Sequence, residues 1–265
     1  MTNLRQTARM IRQDIISMAY KAGAPHIGSS LSIVEILTVL YFAVLKIKPK
    51  KPFWKDRDRL LLSKGHACAC LYSALARRGF FPHRKLKTFF QNGSDLGGHP
   101  DCHLPGIEMV SGSLGHGLAV GAGMALAAKM DRRPFRVFVI LSDGECDEGA
   151  VWEAALFAAN KRLDNLIAIV DYNKLQALGR TSQIIDLEPF KLKWQAFGWE
   201  TAEVDGHDIN LLLKALQNST PCKKPTVVLA HTVKGKGISF MENDYTWHYK
   251  SLNRTFYLQA LKELK

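Results

Sequence analysis

The chain has 265 residues, 47% hydrophobic and 23% charged, with a net charge of +12 and a pI near 9.5, an ordinary balance for one globular α/β layer structure. No run is long and apolar enough to cross a bilayer, and MTNLRQTARMIRQ lacks the apolar core of a signal peptide, so no membrane is expected. The positive charge could serve phosphorylated sugars or nucleic acid, but the clusters at Lys46 to Lys55 and Lys191 to Lys193 come without an RRM-like motif, zinc finger or long basic helix, so no nucleic-acid partner is expected.

Residues 3 to 22 repeat apolar side chains at helical spacing, with Leu4, Ala8, Ile11, Ile15 and Met18 on one face and Gly23 as the stop. Beyond His26, a second helix is expected after Ser30 or Ser32, with Ser32 and Glu35 at capping-box spacing. Arg59 to Leu62 reads as a strand, followed by Ser63-Lys64-Gly65-His66 and a helix to about Arg77. His66 and Cys70 are four apart, but no further soft ligand lies nearby in sequence, so a metal pair is set aside. Residues 91 to 114 are rich in Gly, Pro and His with little periodicity, the profile of a functional loop. Gly117, Gly121, Ala122 and Gly123 lie in an apolar helical stretch, where each Gly costs about 1 kcal/mol against Ala. Close helix packing is the expected reason.

The middle of the chain carries the densest signal. The apolar run Val137 to Leu141 ends at Ser142-Asp143-Gly144, and a helical pattern follows from Gly149 to Arg162. A second apolar run, Leu166 to Val170, ends at Asp171-Tyr172-Asn173. This is a βαβ pattern, whose parallel strands point their carboxyl ends at one edge, where ligands bind. Asp143 and Asn173 should therefore be neighbours. One carboxylate and one amide oxygen are hard ligands, suited to Mg²⁺ or Ca²⁺ with substrate phosphates. Gly144 permits close backbone approach, and a diphosphate could lie at the start of the following helix. Asp and Asn after strands are also common turn chemistry. Further on, Pro189 to Phe197 reads as helix, Trp199 to Val204 as strand, Asp208 to Gln217 as a helix capped by Asp208, and Thr226 to Ala230 as strand. Thr232 to Gly237 (TVKGKG) looks like a phosphate loop but lacks P-loop spacing and is not assigned as one. The fold class is α/β, a three-layer α/β/α arrangement on a mostly parallel central sheet. The five cysteines (Cys68, Cys70, Cys102, Cys146, Cys222) are odd in number without CxxC spacing, which points to a reduced, cytoplasmic setting.

The central stretch resembles the thiamine-diphosphate motif, with Ser142 in place of its first Gly. GAPHIGSS (Gly23 to Ser30), DRLLLSKGHACACLYSAL (Asp58 to Leu75), LGGHPDCHLPGIEMVSGSLGHGLAVGAGMA (Leu96 to Ala125) and TVKGKGISFMENDYTWH (Thr232 to His248) resemble, in order, the N-terminal part of transketolases. The resemblance covers nearly the whole chain. It implies one diphosphate-binding domain over residues 1–265, with 243–265 as a C-terminal extension. It also implies that His26, His99 and His248 are catalytic, with His66 beside the diphosphate and His248 closing over both diphosphate and sugar. Histidines suit such work because their ordinary pKa lies near neutrality. Gly112, Ser113 and Leu114 would form a cofactor-contacting turn, joined by Asp143, Gly144, Glu145 and Asn173. Asp143, Asn173 and the backbone oxygen of Leu175 would ligate Mg²⁺, with Ca²⁺ or Mn²⁺ as substitutes. Glu148 would lie at an interface near the cofactor, and His103 has no counterpart. Family members often have Pro at Ser113, Gln at His116 and Gly at Tyr249, departures that bear on the roles of the first two side chains and on the local turn at the third.

The implied activity is transfer of a two-carbon ketol unit from a ketose with a phosphate or similar anionic tail to an aldose. The chain stops at Lys265, before the pyrimidine-binding and C-terminal domains of full-length transketolases. A C-terminal partner subunit is therefore expected, two copies of each chain per assembly, meeting on an exposed apolar surface. Two other readings stay open: a subunit of another thiamine-diphosphate enzyme, like deoxyxylulose-phosphate synthase or a 2-oxo-acid dehydrogenase, or a non-catalytic basic binding module. The several His motifs favour a sugar over an oxo acid.

Overall fold

A computed structural model describes residues 3–217 and 223–265; Cys222 lies outside the described residues. Helix α1 (Leu4–Ala22) is capped by the Asn3 side chain and stops at Gly23, which takes φ 61. Helix α2 (Ile27–Ser32) begins earlier than the capping-box spacing suggests, directly after His26 in a left-handed conformation. The box does not form. Ser32 Oγ donates to Asp171 at 2.6 Å, and Glu35, in α3 (Val34–Val39), is gripped by Arg12 at 2.6 and 2.8 Å and by His207 at 3.0 Å. A buried guanidinium and imidazole compete better for that carboxylate than a helical N–H does.

The remaining elements alternate as expected. They are β1 (Arg59–Leu62), α4 (Cys68–Arg78), α5 (His116–Met130), β2 (Val137–Ser142), α6 (Gly149–Asn160) and β3 (Leu166–Tyr172). Then come α7 (Thr181–Ile184), α8 (Phe190–Ala196), β4 (Glu200–Asp205), α9 (Ile209–Gln217), β5 (Thr226–His231) and α10 (Arg254–Glu263). Among the described residues the strands form one sheet of five in the order β1-β2-β3-β5-β4, every pair parallel.

Both faces of the sheet are covered, which is why β2 and β3 read as unbroken apolar runs. Phe138, Ile140, Ile167 and Ile169 face a core shared with Ile11 and Ile15 of α1 and Leu71 and Leu75 of α4. Val139, Leu141, Ala168 and Val170 face the opposite core, with Leu118 of α5, Val151 of α6 and Trp194 of α8. The edge strand β4 carries Glu200, Glu203 and Asp205, charges that discourage pairing with another sheet. The α5 glycines answer to packing. A Cβ at Gly117 would lie 2.2 Å from Ser63 Oγ, and one at Gly121 would lie 2.5 Å from Val139 Cγ2. At the C-terminus α10 returns to α1, where Tyr257 stacks on Tyr20 at 4.1 Å between ring centres. Among the described residues no helix is long and apolar enough to cross a membrane.

Candidate active site

Parallel strands bring their carboxyl ends to one edge. There the residues just past β1, β2, β3 and β5 meet: Lys64, Asp143, Asn173 and Lys234. They line a cavity of about 370 Å³ together with His26, His66, His99 and His248, a size suited to a small-molecule ligand. The larger hollow, about 570 Å³, lies between α1 and α9 and holds none of these strand-end groups, so the chemistry is assigned to the smaller one.

The cavity floor is a knot of buried charge. Asp171 is wholly buried and accepts from Lys64, from the Ser32 and Thr232 hydroxyls and, at 3.0 Å, from Asn173 Nδ2. Burial, the largest single influence, raises its pKa, but the Lys64 charge and the hydrogen bonds from Lys64, Ser32 and Thr232 together outweigh it and hold it below the usual carboxylate range. Asp143 has no such partner. Among the described residues its oxygens accept only backbone N–H groups, Gly144 at 2.8 Å and Lys174 at 2.5 Å. Burial, then the neighbouring Asp171 charge, push its pKa up to about 7. A carboxylate so placed gains from a nearby cation. Leu175 and Gln176 already turn their carbonyls toward one, accepting from Lys234 Nζ at 3.2 and 3.3 Å. Asp143, Asn173 Oδ1 and the Leu175 carbonyl are thus a hard-oxygen set that fits Mg²⁺. Among the described residues no three of His, Cys, Asp and Glu gather as a metal site.

The histidines sit above this floor. The ring centres of His26, His66 and His248 lie 5.0 to 5.3 Å apart, and His99 is 6.4 Å from His26. Backbone links hold them, since the His26 N–H donates to the His248 carbonyl at 2.9 Å. Desolvation, then nearby His99 and the Lys234 and Lys64 cations, lower the His26 pKa to about 4. Desolvation and Lys234 lower that of His248 to about 3, and His66 is pushed well down by burial and then Lys64. At neutral pH these rings are uncharged. Lys234 Nζ donates to His248 Nδ1 at 3.0 Å, so the His248 proton sits on Nε2. Burial, then Lys64, bring the Lys234 pKa down to about 8.

Of the residues expected at the site, His26, His66, His99, Gly112, Leu114, Asp143, Gly144, Asn173, Leu175 and His248 line the cavity. Ser113 and Glu145 do not. Ser113 lies exposed, outside the cavity lining. Glu145 is buried beneath the floor, where its carboxylate accepts from Ser63, Gly115 N and Ser142 N and ties β1 and β2 to the start of α5. Glu148 and His116 are exposed outside the cavity, and His103 pairs with Asp101 at the surface. Ser142 lines the cavity and accepts the Glu145 N–H on its hydroxyl, so the extra atoms find a place. Tyr249 takes φ −114 and ψ −16, values that suit any L residue, so its larger side chain brings no backbone strain to the turn.

Sequence reasoning passed over Lys64, Lys234 and Asp171. A lysine directly after a strand end was the available signal for Lys64. For Lys234 it was the TVKGKG loop, set aside for want of P-loop spacing. The loop does carry a cation to the site, anchored from behind by Val233 N–H donating to His207 Nε2 at 2.8 Å.

Comparison with known proteins bears on this site. The family model described as "Transketolase, thiamine diphosphate binding domain" matches residues 2–262. The 6-deoxy-6-sulfo-D-fructose transketolase subunit of Clostridium sp. (strain MSTE9) is 44% identical, over 99% of this chain and 96% of that one. An apulose-4-phosphate transketolase subunit of Phocaeicola vulgatus is 41% identical, over 96% of this chain and 90% of that one. Among solved structures, the transketolase of Campylobacter jejuni superposes with a TM-score of 0.94 at 32% identity. All of this chain is matched there, yet it spans only 43% of that longer polypeptide.

Proposed function

Because this chain belongs to the transketolase family, through its thiamine-diphosphate-binding domain, we propose that it is the N-terminal subunit of a two-chain transketolase. It transfers a two-carbon ketol unit from a ketose with an anionic tail to an aldose, using thiamine diphosphate and Mg²⁺, for which Ca²⁺ or Mn²⁺ can substitute. A partner chain contributes the pyrimidine-binding domain, in an assembly with two copies of each. One observation carries this reading: a single cavity at the strand ends combines hard oxygen donors, two lysines and four histidines. Relatives named for a sulfonated ketose and a sugar phosphate support the anionic tail.

Bound thiamine diphosphate supplies the carbon nucleophile and electron sink for carbon–carbon cleavage. The chain binds and orients. Asp143, Asn173 and the Leu175 carbonyl would hold the dication, and the Lys234 ammonium, with the more deeply buried Lys64, would offset diphosphate charge. Uncharged His26 offers one donor and one acceptor nitrogen to sugar oxygens, whereas His248, its Nδ1 already accepting from Lys234, offers the Nε2–H donor. Residues 1–265 act as one diphosphate-binding domain, with 243–265 as its extension. Val120 of α5 and Leu156 and Phe157 of α6 are 39%, 56% and 41% exposed, which supports a partner face on these two apolar helices. Four unpaired cysteines among the described residues support a cytoplasmic setting.

The test is a ketol-transfer assay on the chain co-expressed with its partner, with xylulose 5-phosphate, ribose 5-phosphate, Mg²⁺ and thiamine diphosphate. Activity is expected only in the pair, and lost on Asp143→Ala. A pair that neither binds the cofactor nor transfers the unit would refute the proposal.

A further inference from the structure

Tyr249 is the member of the cavity lining with the least structural reason to be there. Its side chain is 63% exposed, so it buries little apolar area. Its hydroxyl makes no hydrogen bond among the described residues. Yet its ring stands over the histidine group, 4.8 Å from His248 and 5.8 Å from His26. A sequence of contacts runs outward from the charged floor. Lys234 reaches His248, His248 abuts Tyr249, and Tyr249 faces solvent at the mouth, with Gln176 and Ala177 also in the lining. A sugar whose reacting carbons lie among the histidines must pass its remaining carbons through that mouth. A phenol suits such a chain, because its flat face packs on C–H groups and its free hydroxyl can both donate and accept.

We propose that Tyr249 is a substrate-facing residue that determines specificity: it closes one side of the mouth and hydrogen-bonds the hydroxylated part of a ketose beyond the bond that is cleaved. This rests on the ketol-transfer reading. Discrimination follows because a donor chain that satisfies the hydroxyl gains a bond, whereas one that cannot reach it, or is too bulky beside the ring, does not.

The experiment uses the complex with the partner chain, loaded with thiamine diphosphate and Mg²⁺, in unaltered, Tyr249→Phe and Tyr249→Ala forms. Calorimetry gives Kd for a five-carbon and a six-carbon ketose phosphate and, separately, for the cofactor; turnover gives kcat/KM for both ketoses. Tyr249→Phe should weaken the preferred ketose about 3–10-fold, the loss of one neutral hydrogen bond. Tyr249→Ala should change the ratio between the two ketoses by about tenfold, while cofactor Kd stays within about twofold. Equal ketose binding in all three forms overturns the proposal, as does a parallel loss of cofactor affinity, which would mark a merely structural ring. If the unaltered complex binds ketoses but transfers nothing, ketol transfer fails and the binding ratios alone decide Tyr249. If it binds no ketose, both readings fall.

Discussion

Replacing Lys64 by methionine isolates the strongest electrostatic commitment in the fold. The Lys64 side chain is 1% exposed and its partner Asp171 is 0% exposed. Without the ammonium, Asp171 keeps only neutral donors, from Ser32, Thr232 and Asn173. Leaving one partner of a buried pair uncompensated costs about 3–5 kcal/mol. At about 2–4 °C per kcal/mol for a chain of this size, Tm should fall by roughly 6–20 °C. The double variant Lys64→Met/Asp171→Asn should recover part of that loss, because the buried charge is gone and an amide can still use the neighbouring hydroxyls. The sign with pH follows from Asp171. Its folded pKa is depressed, so its contribution is present above the ordinary carboxylate pKa of about 3.9 and is lost as pH falls through the folded value. In Lys64→Met burial is opposed only by the hydrogen bonds from neutral donors, so the deficit against the unaltered chain should be largest at pH 7 and shrink toward pH 4. Urea denaturation of the unaltered chain, Lys64→Met, Asp171→Asn and the double variant at several pH values measures the cycle. A loss under about 1 kcal/mol, or a coupling under about 0.5 kcal/mol, would refute the reasoning.

Three further expectations follow from named contacts. Asp143→Asn should abolish Mg²⁺-dependent cofactor binding in a titration, yet stabilise the ligand-free chain at pH 8. The raised pKa of about 7 means the carboxyl favours folding fully only below its unfolded value of about 3.9 and has lost that contribution once pH has climbed through 7, so thermal melts of the two chains should separate progressively between about pH 4 and 7 and keep a constant gap above it. Lys234 titrates near 8, so thiamine-diphosphate affinity should decline as pH rises through 8, whereas Lys234→Met should bind about tenfold more weakly and show no such step by calorimetry. Gly117→Ala places a Cβ 2.2 Å from Ser63 Oγ and should cost about 1–3 kcal/mol by scanning calorimetry. Gly123→Ala has open space and should be neutral or stabilise by up to about 1 kcal/mol; similar effects at the two sites would contradict the packing account.

Local sequence identified most of the framework because its signals are local. Gly23 stops α1 through a left-handed turn, and Asp208 caps α9 by accepting from Asn210 and Leu211 N–H. The failure at Ser32 and Glu35 shows the limit. Their spacing fits a cap, but Arg12, Asp171 and His207, distant in sequence, claim both side chains. Ser113 and Glu145 likewise lie outside the cavity lining. Each stands beside a true lining residue, and only the turn geometry decides which neighbour faces the cavity.

What the sequence determined alone is the alternation of strand and helix, the double burial of β2 and β3, and the strand-end positions of Asp143 and Asn173. Hydrophobic periodicity and chain punctuation are properties of short windows. What the tertiary structure decided is the company those residues keep. Lys64 meets Asp171 across 107 positions, Lys234 reaches Leu175 across 59, and the His26 N–H bonds the His248 carbonyl. Such meetings depend on strand order and on parallel strands ending at a common edge, and no local pattern of residues encodes them. The depressed histidines and the raised Asp143 follow from that gathering, because desolvation and neighbouring charge exist only once the chain has folded.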